Sequence, residues 1–524
     1  MTQTLFLLSL CMFIRRKKNR SGTMSIVVVD KSGGKFKEIK SFGVGKTDDE
    51  IKSLVRQASE WMHSYGGQMM IDFDKTELES REIEETERVM SNMDAILING
   101  TQLLFSKLYD RVGFNAIPDE ILRHLTIARA SIPQSKRATA EYLKTYYDED
   151  VALHKIYRYM DKLYDTQMSM IQRISVEHTR KTLGGRIGMM FYDVSTLYFE
   201  TSKTDDLREP GYSKDGKTAE SQVVLGLLVS EGGYPLSYSL YNGSQYEGYT
   251  MIPMIDDFKQ RYNIEEDFVI VADSGLMSAK NISMLRQAGY KFIVGARIKS
   301  EPASVKEWIL SQPREDGKAY ERKKENGDRL IVSYSANRAK KDACNRERGV
   351  KRLRDAYKSG TITKDKVNRM GYNKFLCLDG NVKVAINEQS IIDDEKWDGL
   401  KGYITNTELD CGEVLRQYRG LWIVERAFRI VKGTLETRPM FHFTERRIEA
   451  HVCICFCAYK LYKELQRLAM ELGMEESADT IISIAKTITT VRVRMPHNKS
   501  VFTKTMFLTE RQRSIRKIFD FLGR

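Results

Sequence analysis

The sequence predicts an α/β fold: a mixed sheet with flanking helices, interrupted by a β-rich insertion and preceded by a mostly helical N-terminal region. Three observations carry this reading. A helical texture over residues 48–184 gives way to runs rich in β-branched and aromatic residues. Those runs then alternate with short amphipathic stretches. Late in the chain the alternation breaks off and resumes in two more helical stretches.

The elements follow in order. The opening run MTQTLFLLSLCMF is apolar, and the charges IRRKKNR come after it. That reverses the order of a secretory signal, and the run is too short to span a bilayer. Met12 is therefore expected as the natural start, with residues 1–11 an upstream extension. From Met24 to Gly45, SIVVVD and FKEIKSFGVG flank the turn KSGGK and predict a small hairpin, so residues 1–47 are extension and hairpin. Residues 48–184 read as helical, with one long amphipathic run from Ala138 to Leu183 closed by Gly184-Gly185. IGMMFYDVSTLYFET reads as a strand. SQVVLGLLVSEGGYPLSYSLYNG reads as two more, turning at Glu231-Gly232-Gly233. The helix MIPMIDDFKQRY, the buried strand DFVIVADSG, the helix SAKNISMLRQAG and the strand KFIVGARI complete the stretch 185–298. Three antiparallel strands, then helix, strand, helix, strand, is the order of a ribonuclease-H-like sheet.

Residues 299–406 interrupt that order. They hold the strand-like pieces RLIVSYSA, NKFLCLD and KGYITNT and a basic helical segment. From Arg338 to Arg369 there are 12 Lys and Arg against 4 Asp and Glu. Residues 407–470 resume the core with a helix around Glu425 and a long apolar-striped helix through HVCICFCAYKLYKELQRL. Residues 471–524 are basic again.

A chain of 524 residues with 41% hydrophobic and 30% charged residues is globular and has several domains. A net charge of +13 suits a polyanionic partner, with DNA or RNA foremost. The seven cysteines show neither a disulfide framework nor zinc spacing. Cys453, Cys455 and Cys457 read as free thiols packed in an apolar helix, which fits a reducing cytoplasm. No GxxxxGK[ST], HExxH or GxSxG occurs, which argues against P-loop ATPase, zinc-protease and α/β-hydrolase chemistry. His451 reads as structural.

Three acids stand out. Asp193 lies toward the middle of an apolar strand, where a carboxylate is costly unless it is paired or binds a metal; the alternative is a strand-edge residue facing solvent. Asp273 ends the run Phe268–Ala272, at the carboxyl end of a strand where ligand sites gather; the alternative is a helix N-cap. Glu425 lies seven residues after Tyr418 and seven before Lys432, almost two helical turns each way, so the three form one row. Its alternative is a surface pair with Arg429. Together, three carboxylates with open positions suit two Mg²⁺ ions, with Mn²⁺ as a substitute, for in-line phosphoryl displacement. Arg419, Arg426, Arg429 and Lys432 are candidates to hold phosphates, and Tyr418 and Trp422 to stack on an unpaired base. Asp72 to Glu87 is acidic and so a poor DNA contact, whereas Arg123, Arg129, Lys136 and Arg137 are helical cations able to reach it.

With these residues in place the chain resembles a bacterial insertion-sequence transposase of the DDE type, in the group whose core is split by a β-rich insertion. The matching stretches are FYDVSTLYFE, FVIVADSGLMSAKN and YRGLWIVERAFRIVKGTLETRPMFH with the following ERRIEAHVCICFCAYKL; FIRRKKNRSG and KSFG resemble one subgroup. The resemblance implies Asp193, Asp273 and Glu425 as metal-binding acids. It also implies a Tyr-Arg-Glu-Lys signature matched by Tyr418, Glu425 and Lys432, while Leu421 occupies the Arg position and Arg419 or Arg426 is the substitute cation. The implied partners are terminal inverted repeats and target DNA, with a homo-oligomer of at least two protomers on the ends and residues 48–184 binding them. The implied setting is the bacterial cytoplasm and nucleoid, with no membrane association. The rival readings are a metal-dependent nuclease and a DNA-binding protein that has lost catalysis.

Overall fold

The computed structural model describes residues 12–65, 73–212, 216, 219–262, 268–276, 278–359, 361–362, 367–368, 371–379, 383–495 and 498–523. The expected upstream extension, residues 1–11, lies outside the described residues, as does Asp72 of the acidic stretch. The chain divides into two compact units: residues 1–95 with 492–502, and residues 96–491 with 503–524.

In the first unit, β1 (Met12–Lys18), β2 (Met24–Asp30) and β3 (Lys37–Gly45) form an antiparallel sheet in the order β1-β2-β3. The expected hairpin is β2-β3, and β1 is an addition to it. Alternation is visible in β1 only over Met12–Ile14, because the run Arg15–Lys18 gives it no apolar face. The helix Asp48–Ser64 begins at a capping box between Thr47 and Glu50. Ile26 and Val28 pack with Ala58 and Met62 of that helix.

Along the rest of the chain come β4 (Met93–Leu97), β5 (Met189–Tyr198), β6 (Gln222–Ser230), β7 (Pro235–Asn242), β8 (Val269–Ala272) and β9 (Lys291–Ala296). After them come β10 (Ala319–Lys323), β11 (Arg329–Tyr334), β12 (Leu376–Asp379), β13 (Lys383–Ile386), β14 (Leu400–Thr405), β15 (Thr489–Arg494) and β16 (Val501–Met506). The main sheet has eight strands in the order β10-β11-β14-β9-β8-β5-β6-β7. Within it, β5, β6 and β7 are antiparallel, and β8 and β9 run parallel to β5. This is the ribonuclease-H-like order read from the sequence.

The stretch 299–406 does more than interrupt this sheet. β14 pairs antiparallel with β9, and β11 and β10 follow outward. Alone, β9 would present a row of unpaired N–H and C=O groups, and β14 satisfies them. Between β11 and β14 the chain leaves the sheet and returns at one point. Tyr334 pairs with Leu400, and Ser335 N–H donates to Gly399 C=O at 2.9 Å. The excursion includes the helix Ala336–Lys358, the β12-β13 hairpin and the helix Glu388–Glu395. It has its own small core of Val350, Leu353, Phe375, Leu376 and Ile391. Part of its basic charge is neutralised internally: Arg346 grips Asp398 with two hydrogen bonds, at 2.5 and 2.7 Å.

Alternate residues of β5 feed two cores, as strand geometry requires. Met190, Tyr192 and Val194 face one, Phe191 and Leu197 the other. The second core centres on the helix Glu445–Glu471, buried on every side from Ala450 to Tyr462. It packs on β7 and on the helices Gly100–Val112, Glu120–Ser131, Leu153–Thr166 and Met168–Thr182. The expected unbroken run from Ala138 to Leu183 is in fact several helical pieces. Asp148 has a left-handed backbone (φ 59°) that ends the piece before it, and Leu153–Thr166 and Met168–Thr182 follow separately. The apolar period runs across the breaks because the pieces share the central helix as a partner. Among the described residues, all cysteines are free, with Cys453, Cys455 and Cys457 buried in that helix, and no helix is long and apolar enough to cross a membrane.

Candidate active site

β5 and β8 run in parallel register, with Tyr192 beside Ala272. The next residue on each chain is Asp193 and Asp273. Asp193 lies within β5 and Asp273 just past the end of β8, on neighbouring strands about 4.8 Å apart, and alternation turns both toward the face of Phe191 and Val271. Asp193 is half-buried inside the sheet, opposite Leu227 of β6, which stands between β5 and the edge strand β7. Its Oδ1 accepts the Val194 N–H at 2.8 Å. Asp273 is exposed. It does not cap the following helix: that helix starts at Ala279, and the Ser278 hydroxyl accepts the Asn281 N–H at 3.1 Å.

The row of Tyr418, Glu425 and Lys432 does not lie on one continuous helix. The chain forms a helix Cys411–Arg419, a second helix Trp422–Arg429 and a π-helical turn Ile430–Thr434. The break falls at Gly420-Leu421. A Cβ on Gly420 would stand 2.8 Å from Phe191 Cζ and from the Gln417 carbonyl, so the chain here approaches β5 as only glycine allows. Leu421, at the signature's Arg position, is buried in the core. Tyr418 is buried, and its hydroxyl donates to Asp273 Oδ1 at 2.8 Å. Burial and the Asp273 charge hold the Tyr418 phenol well above its ordinary range, so it remains a donor. Glu425 is exposed in the first turn of its helix, where a negative charge favours the helix dipole. Lys432 is half-buried in the π turn, its Nζ 6.0 Å from the Phe428 ring centre.

Lys401 of β14, which sequence reasoning missed, joins these groups. Its Nζ stands 4.4 Å from the Tyr418 ring centre. Burial lowers its pKa and the Arg338 charge adds to that, while Asp273 and Glu425 both pull it upward. The charges of both carboxylates therefore act on one ammonium. Tyr403, two residues along β14, meets Tyr418 edge-on at 4.8 Å. The charges of Arg419 and Arg338 act on the Tyr403 phenol. Gly295 of β9 gives Tyr418 its space, since a Cβ there would lie 2.5 Å from the hydroxyl. The available signal was KGYITNT, whose alternation puts Lys401 and Tyr403 on one face of the strand before the Glu425 helix.

The other candidates spread out. Arg419 and Arg429 are exposed. Trp422 is 54% exposed, with the Arg426 guanidinium 6.0 Å from its ring. Both line a cavity of about 480 Å³ with Tyr459, Lys463 and Arg467, and none of the three acids borders it. Arg123 is paired with Asp110 (3.0 Å) and Glu120 (3.2 Å), and Arg129 and Lys136 are buried, which leaves Arg137 as the exposed cation of those four. Among the described residues no group of three His, Cys, Asp or Glu side chains is close enough to hold a metal ion. The donor chemistry nonetheless fits a hard divalent cation: two carboxylates on adjacent strands, with a third whose charge acts on the same lysine as Asp273.

No curated protein matches the chain. Among solved structures, the cryo-EM piggyBac transposase synaptic complex with hairpin DNA is similar over 81% of this chain and 79% of that one, with 10% identity and a TM-score of 0.37. The Mos1 mariner paired-end complex with Mn covers 30% of this chain and 54% of its own, with 11% identity and a TM-score of 0.15. The Mos1 paired-end complex with left transposon end covers 30% and 53%, with 10% identity and a TM-score of 0.16. The model of the transposase DDE domain matches residues 189–461, which is more than half of the chain and takes in Asp193, Asp273 and Glu425, and the chain therefore belongs to the DDE transposases, metal-using enzymes that cleave DNA and join its ends.

Proposed function

We propose that this transposase serves a bacterial insertion sequence, with Asp193, Asp273 and Glu425 as its catalytic carboxylates. The observation that carries the reading is the parallel register that sets Asp193 beside Asp273; the charges of Asp273 and Glu425, which both act on Lys401, support it. Those carboxylates would hold two Mg²⁺ ions, or Mn²⁺ in their place, which when bound supply Lewis-acid activation for in-line phosphoryl displacement. The chain's own residues do the rest. Tyr418 fixes the Asp273 carboxylate by its hydrogen bond. Lys401 offsets carboxylate repulsion and offers a cation to an incoming phosphate. Lys432 and Arg429 grip the DNA end, and Trp422 and Arg426 hold an unpaired base in the cavity they line. The missing signature arginine is replaced by Arg419, which is exposed and whose charge acts on Tyr403, rather than by Arg426, which borders the other cavity.

In this reading the enzyme binds the terminal inverted repeats of its element as at least a dimer, in the bacterial cytoplasm at the nucleoid. It frees a 3′-hydroxyl at each end and directs it onto target DNA. A strand-transfer assay with Mg²⁺ and end-sequence DNA tests this. Joined products are expected. Cleavage without joining would mark a nuclease, and bound but uncut DNA a binding protein. Asp193→Asn, Asp273→Asn and Glu425→Gln should each reduce cleavage to background and leave end binding largely intact; near-normal cleavage by any one removes that residue from the site.

A further inference from the structure

Beyond the π turn that carries Lys432, residues 435–442 run over a second cavity, of about 200 Å³. Arg129, Lys136 and Arg137 line it with His442 and His451, and Glu436 is its single carboxylate. Lys136 is 4% exposed and Arg129 7%. Their polar partners are neutral. Arg129 donates to the carbonyls of Gln134 (2.8 Å) and Leu435 (3.4 Å). Lys136 Nζ lies 3.2 Å from His451 Nδ1, and the other ring nitrogen of His451 lies 3.9 Å from Cys455 Sγ. The rings of His442 and His451 are 5.1 Å apart. Burial and the charges of Lys136 and Arg129 push the His442 pKa down to about 3, and His451 is depressed for the same reasons. Glu436, the one acid, is exposed.

Burial and the Arg129 charge push the Lys136 pKa down to about 7, and the cost of charging it beside Arg129 without a counterion is relieved when an anion enters. A guanidinium fork beside a compact ammonium is the donor set that a tetrahedral phosphate takes. The position of the cavity ties it to the reaction. The Thr437 hydroxyl donates to Val431 C=O (2.7 Å) in the Lys432 turn, and Met440 N–H donates to Tyr198 C=O (3.1 Å) at the end of the strand that carries Asp193. Phe441, 62% exposed at the rim, gives a sugar or base a surface to rest on.

We propose that this cavity is a phosphate site, separate from the three carboxylates, which seats one backbone phosphate of the DNA the enzyme holds. Thermal unfolding with inorganic phosphate tests the site, and duplex binding tests the source of the phosphate. Phosphate should raise the Tm of the whole protein and leave that of Lys136→Met, which keeps the stem but loses the charge, unmoved. An equal rise in that variant overturns the site. Should Lys136→Met not fold, Arg137→Ala on the exposed rim should need several-fold more phosphate for the same rise, and an unchanged requirement overturns the proposal. With a terminal-repeat duplex, the slope of log affinity against log salt should fall by about 0.9 in Lys136→Met. An unchanged slope beside a lost phosphate response overturns the DNA source. Wild type that responds to phosphate yet binds no duplex tells against the transposase reading itself.

Discussion

Lys401 shows how a single charge conditions the site. An ammonium that shares the fields of Asp273 and Glu425 competes with any cation those carboxylates are to hold. Lys401→Met should therefore lower the half-saturating Mn²⁺ concentration by about tenfold, on the order of 1.4 kcal/mol. Calorimetric titration checks this, and an unchanged or higher concentration would refute it. A second residue sets a pH limit. Burial, helped by the Lys460 charge, pushes His178 down to about 4, although Glu464 stands 3.7 Å away. The unfolded chain takes up this proton near the ordinary value of about 6.5, while the folded chain resists until about 4. The contribution of His178 to stability is thus whole above pH 6.5 and lost as pH falls toward 4. Tm should decline across that window, and less steeply in His178→Phe; parallel declines would exclude His178 as the cause. Asp193 and Asp273 stood out as candidates because a carboxylate inside an apolar strand, or at its carboxyl end, is conspicuous in sequence. Lys401 was not, since its role depends on pairing between β14 and β9, about a hundred residues apart, which no local pattern records.

Among elements, the broken helix around Gly420 is the most consequential. Spacing alone carried a helical register from Tyr418 to Lys432. The break comes from tertiary approach: the helix pair comes so near β5 that Phe191 fills the place of a side chain at 420. Gly420→Ala should cost about 1–3 kcal/mol by overpacking. It should also reduce cleavage, because the same shift displaces the helix that carries Glu425. Denaturant unfolding alongside a cleavage assay checks both, and a variant as stable and active as wild type would show that the approach is not tight. The same reasoning explains the run from Ala138 to Leu183. Its period was read correctly, but a period reports which face is covered and says nothing of a left-handed residue such as Asp148. The strand β1 was hidden by the opposite effect, since four consecutive cations mask the alternation that marks a strand.

For the whole molecule, the charge of +13 and the ribonuclease-H-like order were both readable from the chain, because composition and element sequence survive without knowledge of contacts. The eight-strand width was not, since the added strands belong to a stretch that looked like an interruption. The point where that stretch leaves the sheet has a further consequence. Residues 336–398 depart and return beside one backbone hydrogen bond, Ser335 to Gly399, and pack around a core of their own. Lengthening or shortening a loop whose ends already touch changes closure entropy only slowly. The segment joins the sheet through one narrow neck, held also by Trp397, which packs against the main core, and by the Lys299–Asp394 pair (2.6 Å). Replacing 336–398 with a two-residue Asn-Gly turn should leave Tm within a few degrees while removing the basic helix Ala336–Lys358. A trimmed protein that does not fold would show the segment to be a structural member, and one that folds would make this neck the natural place to graft new DNA-binding modules onto the enzyme.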